Sequence, residues 1–411
     1  MERALAKQSI PPGKSQFRIL VAEDSDPVRT LLAAMLRSLG YDVTEARDGE
    51  EAYRLIVAHR IQLVVSDWLM PRVDGPSLCR KLRQSDVGYY VYFMLVTVRD
   101  SHTDLVEGMD AGADDFLGKP VNLEELRVRL RAGQRVLELE RVLAERNQRL
   151  TLAYGQIRRD VDAAAQMQRS LLPEKSLHFG PAHFEWLFVP SMFVSGDDLN
   201  AFRLDDHHVG FYNLDVAGHG VPAAMMSVTL SRMLTPGTGG LLRESASSAS
   251  GERVRSPSNV AAALNAQFQI TAESSMYFTL LYGVLNTHTG VVRFIQAGHT
   301  RPMLLTAGDD SRILDGGSPP IGVLPQFAYE EQQVDLQRGE RLVVYSDGVT
   351  ECENVDGVQF GEERLLSYLS DRRDVPLEET LQALVTELNA WRSPETPGFP
   401  DDLSVLALEF H

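Results

Sequence analysis

The sequence lacks several features that define large classes of protein. Only two cysteines, Cys79 and Cys352, occur among 411 residues, so a disulfide framework is excluded and a reducing compartment is favoured. No window approaches the ~20 consecutive apolar residues that a membrane-spanning helix requires. The first 16 residues are polar and contain no apolar segment typical of a secretion signal. We therefore expect a cytoplasmic protein with no membrane partner.

Positive charge is also scarce. The 57 Asp and Glu residues outnumber the 40 Lys and Arg residues, and the net charge is −17 at pH 7. Nucleic-acid binding depends on clustered basic residues that neutralise phosphates, so this composition predicts no nucleic-acid partner. With 44% hydrophobic and 24% charged residues, the chain has the composition of a globular protein, and its length predicts two or three domains.

The first part of the chain alternates short apolar runs with segments of helical spacing. The apolar runs predict strands at 17–22, 41–46, 61–66, 91–96 and 115–117, with helices between them. This alternation with short connections predicts a parallel sheet with helices on both faces. In such sheets the functional site lies at the carboxyl ends of the strands.

Polar residues follow these strand ends: Glu23, Asp24, Asp67, Thr97 and Lys119. Three converging carboxylates repel one another unless a hard cation neutralises them, and an acidic oxygen pocket suits Mg²⁺. A metal-bound aspartate is also a suitable nucleophile for forming an acyl phosphate. Thr97 and Lys119 would then supply a hydroxyl and an ammonium group to the phosphoryl oxygens.

This ordered set resembles the receiver domain of two-component response regulators. The motifs that carry the resemblance, over about residues 17–125, are Glu23-Asp24, the segment Asp67-Trp68-Leu69-Met70-Pro71, Thr97 and Gly118-Lys119-Pro120. The resemblance implies a flavodoxin-like, doubly wound α/β domain with Asp67 as phosphoacceptor. It also implies that a sensor histidine kinase or a phosphotransfer protein is the partner that phosphorylates this residue.

The resemblance to receiver domains implies further site roles. Mg²⁺ would be held by Asp24, Asp67 and the Leu69 carbonyl, with Glu23 acting through water. Thr97 and Phe116 match the hydroxyl and aromatic residues of the family's switch pair. Val98 stands where the family usually has a smaller residue, and its bulk is expected to slow phosphoryl entry or damp the switch.

A long helix is predicted for residues 126–172, which contain no proline before Pro173. Its apolar positions follow a heptad rhythm with one stutter at Ile157–Val161. The predicted seam consists of Val136, Leu139, Leu143, Arg146, Leu150, Ala153, Ile157, Val161, Ala164, Gln168 and Leu171. This spacing predicts a coiled-coil linker and a parallel homodimer. The alternative is one helix packed on its own domains, and the polar Arg146 and Gln168 favour it.

Residues 173–411 read as strands with segregated helices, which predicts an α+β domain; a Ser/Gly-rich segment, 236–258, predicts a loop. Aspartates occur where turns meet strands, at Asp197-Asp198, Asp215, Asp347 and Asp401-Asp402. Oxygen-only ligands without a Cys or His cluster favour Mg²⁺ or Mn²⁺. Two such ions about 3.5–4 Å apart can activate a water for in-line phosphoryl transfer.

This second pattern resembles the SpoIIE/RsbU-type branch of the metal-dependent PPM (PP2C-like) serine/threonine phosphatases. The matching segments, in the family's order, are 164–173, Ser195-Gly196-Asp197, 215–220, 278–283, 297–299, 345–351 and 401–404. The resemblance implies a β-sandwich flanked by helices and a catalytic centre with two Mg²⁺ or Mn²⁺ ions.

The phosphatase resemblance also implies the ligand set. Asp215 would bridge both ions with help from the Val216 carbonyl, and the remaining ligands would be Asp197, Asp347 and Asp401. Two alternatives stay open, because Asp198 competes with Asp197 and Asp402 competes with Asp401. His219 and His299 are expected to have packing or turn roles rather than catalytic ones.

Together the two resemblances imply a response regulator whose phosphorylation at Asp67 controls a protein serine/threonine phosphatase. The implied substrate is a phosphorylated STAS-domain anti-sigma-factor antagonist in a partner-switching pathway. The alternative is a sigma-factor-binding adaptor with an inactive phosphatase-like domain. Such an adaptor does not need all four aspartates, and this sequence retains them.

Overall fold

A computed structural model describes residues 18–85, 87–98, 102–237, 240–245, 252–271, 276–306, 308, 310–392 and 398–411. The chain divides into two compact units, Met1–Tyr154 and Gly155–His411. The domain limits predicted above, 17–125, 126–172 and 173–411, stay predictions. None of the described helices combines the length and the apolar character needed to cross a membrane.

The first unit is built on one parallel sheet with strand order β2-β1-β3-β4-β5. Its elements are β1 Arg18–Ala22, α1 Asp26–Ser38, β2 Asp42–Ala46, α2 Gly49–His59, β3 Leu63–Asp67, α3 Gly75–Gln84, β4 Tyr92–Thr97, α4 His102–Asp110, β5 Asp115–Gly118 and α5 Leu123–Arg169. All neighbouring strands pair in parallel. This order is the flavodoxin-like arrangement, and the predicted doubly wound α/β fold is confirmed.

Local sequence features hold the loops at the carboxyl edge of this sheet. Asp48 caps α2 by accepting hydrogen bonds from the Glu50 and Glu51 amides, each at 2.9 Å. Gly75 begins α3 directly beside the end of β3. A Cβ atom added there would lie 2.3 Å from the Asp67 carbonyl oxygen, so only glycine allows this close approach.

The first turns of α5 belong to the core of the first unit. Leu126 and Leu130 are fully buried in an apolar cluster with Leu32 and Leu36 of α1. Burying each leucine stabilises the unit by roughly 1.5–3 kcal/mol. Gly133 lies close against the Tyr92 ring, since an added Cβ atom would be 2.7 Å from a ring carbon.

The middle of α5 exposes its apolar side chains. The predicted long helix is confirmed, although it begins at Leu123 and ends at Arg169. Four seam residues, Leu139, Leu143, Leu150 and Ile157, are each more than half exposed. Pairing of this helix with a second copy stays a prediction.

The described part of the second unit contains two large antiparallel sheets and one two-stranded antiparallel sheet. Its strands are β6 Ser176–Phe179, β7 Ala182–Val189, β8 Asp198–Arg203, β9 His208–Val216, β10 Arg243–Ser245, β11 Glu252–Val254, β12 Phe278–Asn286, β13 Val291–Ala297, β14 Met303–Leu305, β15 Arg312–Ile313, β16 Gln332–Asp335, β17 Arg341–Tyr345 and β18 Leu403–Phe410. Its helices are α6 Val221–Met233, α7 Pro257–Gln267, α8 Asp347–Thr350, α9 Glu362–Ser370 and α10 Leu377–Trp391. One sheet has the order β16-β13-β12-β9-β8 and the other β15-β14-β17-β18-β7-β6.

The inner faces of the two sheets share one apolar layer, which includes Phe184, Phe211, Leu281 and Leu406. A second cluster packs α6 and α7 on one sheet, and a third packs α9 and α10 on the other. The predicted β-sandwich flanked by helices is therefore confirmed.

The segment predicted as a loop, 236–258, contains regular structure. Strands β10 and β11 pair in an antiparallel arrangement, with Glu244 opposite Arg253. The side chains of these two residues form an ion pair. The loop prediction was therefore wrong for both strands, whereas residues 238–239 and 246–251 lie outside the described part of the chain.

Candidate functional sites

Three carboxyl groups meet at the carboxyl edge of the first sheet. Glu23 and Asp24 follow β1, and Asp67 is the last residue of β3. One oxygen atom from each group lies within 4.8 Å of the other two. Glu23 and Asp67 are buried, whereas Asp24 is exposed. The group therefore opens to solvent on one side, which suits an ion such as Mg²⁺ that keeps several water ligands.

Lys119 supplies a positive charge at the carboxyl edge of the first sheet. Its Nζ lies 2.8 Å from Glu23 Oε2 and 2.8 Å from Asp67 Oδ1. Burial raises the pKa of Glu23, and the hydrogen bond from Lys119 offsets this only in part. Burial alone would lower the pKa of Lys119, but its hydrogen bonds to Asp67 and Glu23 raise it. One ammonium group thus contacts two of the three carboxyl groups, and the remaining negative charge favours a divalent cation.

The predicted switch residues lie on the next two strands. Thr97 is buried at the end of β4, and Phe116 is half-buried on β5. The ring centroids of Phe116 and Trp68 are 6.5 Å apart. A Cβ atom added to Gly108 of α4 would lie 2.5 Å from the Phe116 ring, so glycine allows this ring to pack against α4.

Two other predicted positions have exposed side chains near this edge. Leu69, whose carbonyl is a predicted Mg²⁺ ligand, follows β3 with its side chain 55% exposed, and Val98 follows Thr97 with its side chain 69% exposed. The bulk of Val98 is therefore directed into solvent rather than into the core.

The second unit carries the four predicted aspartates at ends of elements. Asp197 precedes β8, Asp215 lies near the end of β9, Asp347 begins α8 directly after β17, and Asp401 lies just before β18. Burial and the charges of Asp347 and Asp401 raise the pKa of Asp215 to about 7. Burial and the charge of Asp215 raise the pKa of Asp197 well above its usual range. The four carboxyl groups therefore form one electrostatic cluster, called here the aspartate cluster.

The aspartate cluster fits divalent cations. Burial and Asp401 raise the pKa of Asp347 to about 6, which indicates negative charge that neighbouring protein groups do not compensate. Within the described residues, no three of these aspartates place one oxygen each within 4.8 Å of one another. The donors of the cluster are all oxygens, which suit Mg²⁺ or Mn²⁺.

The Val216 carbonyl lies beside the residue that precedes Asp197. A Cβ atom added to Gly196 would be 3.0 Å from that oxygen.

A groove of about 350 Å³ adjoins Asp401 and includes Glu351 and Arg392 in its lining. The cluster is therefore reachable from solvent.

The structure separates the members of each adjacent aspartate pair. Asp198 is buried and accepts a hydrogen bond from the Tyr212 hydroxyl at 2.8 Å. Burial raises its pKa to about 6. Asp402 accepts four hydrogen bonds, from the Ser191 amide and hydroxyl at 2.7 and 2.8 Å, the Ser195 hydroxyl at 2.6 Å and the Gly196 amide at 2.9 Å. Both of its oxygens are thus engaged in holding loops.

Residues outside the predicted ligand set hold Asp197 in position. The Ser404 hydroxyl donates to Asp197 Oδ2 at 2.7 Å, and the Asp197 amide donates to the Ser195 hydroxyl at 3.0 Å. Gln168 of α5 donates to the Ser195 carbonyl at 2.7 Å and accepts from the Ser195 amide at 3.0 Å. Gln168 is therefore buried in the second unit, as the alternative of a helix packed on its own domains predicts at this position, rather than on a coiled-coil seam. Ser404 is the last residue of the motif Asp401-Asp402-Leu403-Ser404, so this motif could have identified it as part of the site.

Two histidines lie near the aspartate cluster. His299 is buried, its Nδ1 lies 2.8 Å from Thr279 Oγ1, and burial lowers its pKa to about 3. Thr279 pairs with Asp215 across β12 and β9. His219 is exposed between β9 and α6. Burial raises the pKa of Asp401, and His219 offsets this only in part.

Comparison with known families gives two matches. The family profile of the response regulator receiver domain matches residues 19–131. The profile of stage II sporulation protein E (SpoIIE) matches residues 205–411, which is half of the chain. The response regulator MprA of Mycolicibacterium vanbaalenii is 48% identical over 115 residues, which are 28% of this chain and 49% of that protein. MprA of Mycobacterium ulcerans is 46% identical over 123 residues, or 30% of this chain and 52% of that protein. The chain thus spans about half the length of these relatives.

Among solved structures, the SiaA-PP2C domain of Pseudomonas aeruginosa has a TM-score of 0.52 with this chain. The two are 21% identical, and the similarity covers 63% of this chain and 99% of that domain. At this identity the similarity establishes the PP2C-like fold alone.

Proposed function

Because this chain belongs to the SpoIIE family and also carries a response regulator receiver domain, we propose that phosphorylation of Asp67 controls a metal-dependent serine/threonine phosphatase in the second unit. The observation that carries this proposal is the aspartate cluster. Four carboxyl groups from separate element ends raise one another's pKa values, with Asp215 affected by Asp347 and Asp401. Such an accumulation of like charge, with Asp197 buried and Asp215 and Asp347 half-buried, is costly for folding alone, and it is typical of a site that binds cations.

In the proposed reaction, Asp197, Asp215, the Val216 carbonyl, Asp347 and Asp401 hold two Mg²⁺ or Mn²⁺ ions. When bound, the ions supply the charge that makes water a nucleophile at neutral pH and that neutralises the phosphoryl oxygens. Water attacks phosphorus, the bond from phosphorus to the serine or threonine oxygen breaks, and that oxygen takes up a proton. Ser404 and Ser195 fix the Asp197 carboxyl and amide through their hydroxyl groups, so this ligand is oriented before substrate binds.

The receiver is proposed to accept a phosphoryl group from a sensor histidine kinase or a phosphotransfer protein. An oxygen of Asp67 attacks phosphorus, and the bond to the donor nitrogen breaks as the acyl phosphate forms. Asp24, Asp67 and the Leu69 carbonyl would hold Mg²⁺, with Glu23 acting through water, and the ion would supply charge compensation. The Lys119 ammonium, now 2.8 Å from Asp67 Oδ1, is close enough to contact the new phosphoryl oxygens. Thr97 and Phe116 are the proposed switch pair.

Helix α5 is the proposed route between the two activities. Leu126 and Leu130 pack the first turns of α5 into the core of the first unit. Gln168, in the last turn, forms two hydrogen bonds with Ser195 in the loop that carries Asp197. We propose that two copies of the chain pair through the exposed seam of α5, and that phosphorylation favours one of two discrete arrangements of the paired helices. The exposed Leu143, Leu150 and Ile157, at heptad spacing, support the pairing.

The proposed substrate is a phosphorylated STAS-domain anti-sigma-factor antagonist. Family membership and the matching segments support this choice. Retention of all four aspartates argues against the alternative, a sigma-factor-binding adaptor with an inactive phosphatase-like domain. An adaptor gains nothing from a cluster of mutually repelling carboxylates that destabilises its fold.

Mn²⁺-dependent release of phosphate from a phosphoserine STAS protein tests the enzyme proposal. The purified full-length chain is expected to be active, and Asp215→Asn is expected to abolish turnover. Asp198→Asn is the matched control, because Asp198 bonds Tyr212 rather than the aspartate cluster, and it is expected to retain activity. If the wild-type chain releases no phosphate from this protein or from generic phosphopeptides, the adaptor alternative is favoured.

A further inference from the structure

A second group of possible metal ligands lies at the other end of β18. Antiparallel pairing puts His178 of β6 opposite His183 of β7, and His183 opposite Glu409 of β18. These three residues therefore form a row across one face of the sheet. Glu185 lies two positions after His183 on β7, and His411 lies two positions after Glu409, just beyond β18. Because side chains two positions apart on a strand point to the same face, those of Glu185 and His411 share this face.

The described atoms of this row converge. One ligand atom each from His183, Glu409 and His411 lies within 4.8 Å of the other two. Glu409 Oε2 is 3.9 Å from His183 Nδ1 and 3.5 Å from His411 Nε2. Four-coordinate zinc has bonds of about 2.0–2.2 Å to nitrogen and oxygen, so small side-chain movements bring these atoms to binding distance.

The surrounding contacts orient the ligands. Arg341 contacts Glu409 through Oε1, with Nη2 at 3.0 Å, and this leaves Oε2 directed at the two histidines. The other nitrogen of His183, Nε2, lies 3.1 Å from Glu185 Oε1. A histidine that binds a metal usually donates its second ring N–H to a carboxylate in this way.

Glu185 supplies an independent observation. Its side chain is buried, with 3% of the residue exposed, and its Oε2 has no hydrogen-bond partner among the described residues. A buried carboxylate with one unpaired oxygen is costly, unless nearby positive charge compensates it. A divalent cation on His183 would supply that charge through the shared imidazole.

We propose that His183, Glu409 and His411 form a site for a divalent transition metal ion of the zinc type, with Glu185 as the positioning residue of His183. Two imidazoles and one carboxylate are donors that favour such ions over Mg²⁺, and water completes the coordination. The site is distinct from the aspartate cluster, because β18 spans roughly 25 Å at 3.3 Å per residue and Asp401 lies before its first residue. The proposal is independent of the proposed phosphatase activity.

Cobalt binding to the full-length chain tests this proposal. With excess Mg²⁺ present to fill oxygen-only sites, Co²⁺ is expected to give the strong visible absorption of a four-coordinate ion with imidazole ligands. His411→Gln, at an exposed position, is expected to abolish this absorption. Glu185→Gln is expected to weaken Co²⁺ binding about 10- to 100-fold while leaving the absorption maximum in place.

His288→Gln is the matched control, since His288 is an exposed histidine of the same unit, in the turn between β12 and β13. The Co²⁺ absorption of this variant is expected to equal that of the wild-type chain. An absorption that His411→Gln and His183→Gln leave intact would overturn the proposal. So would a wild-type chain that gives no such absorption, because the histidines would then have only their contacts with Glu185 and Glu409.

Discussion

Gln168 holds Ser195 through both atoms of its amide group. Its Nε2 donates to the Ser195 carbonyl at 2.7 Å, and its Oε1 accepts from the Ser195 amide at 3.0 Å. The Ser195 hydroxyl in turn accepts from the Asp197 amide. The last turn of α5 is therefore two hydrogen-bonding steps from the first residue of the aspartate cluster.

Gln168→Ala is expected to raise the Mn²⁺ concentration needed for half-maximal phosphatase activity, because the loop that carries Asp197 loses its support. The free energy of unfolding is expected to fall by about 1–3 kcal/mol, since two buried backbone groups of Ser195 lose their partner. A metal titration of activity and a denaturant titration measure the two effects. Gln166→Ala, at an exposed position two residues earlier, is the control, and equal effects in both variants would contradict the role given to Gln168.

Asp401→Asn and Asp402→Asn are expected to have opposite effects on stability. Asp402 accepts two hydrogen bonds on each of its carboxylate oxygens. Asparagine replaces one of these oxygens with an amide nitrogen, which cannot accept the two hydrogen bonds made there. Asp402→Asn is therefore expected to lower the free energy of unfolding by about 1–3 kcal/mol. Asp401→Asn removes charge that raises the pKa values of Asp215 and Asp347, so the metal-free chain is expected to keep or gain stability while losing activity.

Thermal unfolding in a chelating buffer, together with the phosphate-release assay, distinguishes these two variants. Asp401 accepts one hydrogen bond, from the Asp402 amide at 2.7 Å. A Tm lower for Asp401→Asn than for Asp402→Asn would show that this contact outweighs the repulsion from Asp215 and Asp347, and would contradict the role of Asp401 as a metal ligand.

The stability of the metal-free second unit is expected to depend on pH. The pKa of Asp215 is raised to about 7 and that of Asp347 to about 6, above the value near 3.9 of an unfolded aspartate. The folded state therefore binds more protons than the unfolded state between about pH 4 and pH 7. The contribution of Asp215 and Asp347 to the free energy of unfolding is therefore fully present below about pH 4, and it is lost as the pH rises through their folded pKa values.

Unfolding measured from pH 4 to pH 8 with and without Mn²⁺ tests this expectation. The stabilisation by Mn²⁺ is expected to be larger at pH 7.5 than at pH 5, because protons compete with the ion. Asp215→Asn is expected to flatten the metal-free profile. A metal-free profile identical in this variant and the wild type would contradict the pKa assigned to Asp215.

Leu150→Glu is expected to convert a dimeric chain to a monomer. Leu150 lies on the exposed seam of α5, and like charges that meet across a paired helix oppose association. Sedimentation analysis gives the oligomeric state directly. Leu152→Glu introduces the same charge at an exposed apolar residue off the seam, and this variant is expected to remain dimeric. A monomeric wild-type chain would contradict the proposed pairing.

Sequence patterning predicted much of the fold because most elements are apolar runs or regular helical repeats. The five strands predicted in the first part of the chain agree with β1 to β5 to within two residues at each end. Strand β8, with the sequence Asp-Leu-Asn-Ala-Phe-Arg, has too few apolar residues to be recognised. Helix α8 begins with Asp347-Gly348, which also reads as a turn.

The candidate sites were harder to predict at the level of single side chains. Asp197 and Asp198 are adjacent and chemically identical, and their contacts in the fold distinguish them, because Tyr212 bonds Asp198 and Ser404 bonds Asp197. Gln168 fits the heptad spacing of α5, and periodicity cannot say whether such a position meets another helix or the Ser195 loop. His183 and Glu409 are more than 200 residues apart, so only the sheet register brings them together.

The most direct measurement is the phosphatase rate with and without a small-molecule phosphoryl donor for the receiver, in the wild-type chain and in Asp67→Ala. If the receiver controls the phosphatase, the donor changes the rate of the wild-type chain, and Asp67→Ala retains basal activity without responding to the donor. A wild-type rate that the donor leaves unchanged, while Asp67 is shown to be phosphorylated, would contradict control of the second unit by the first.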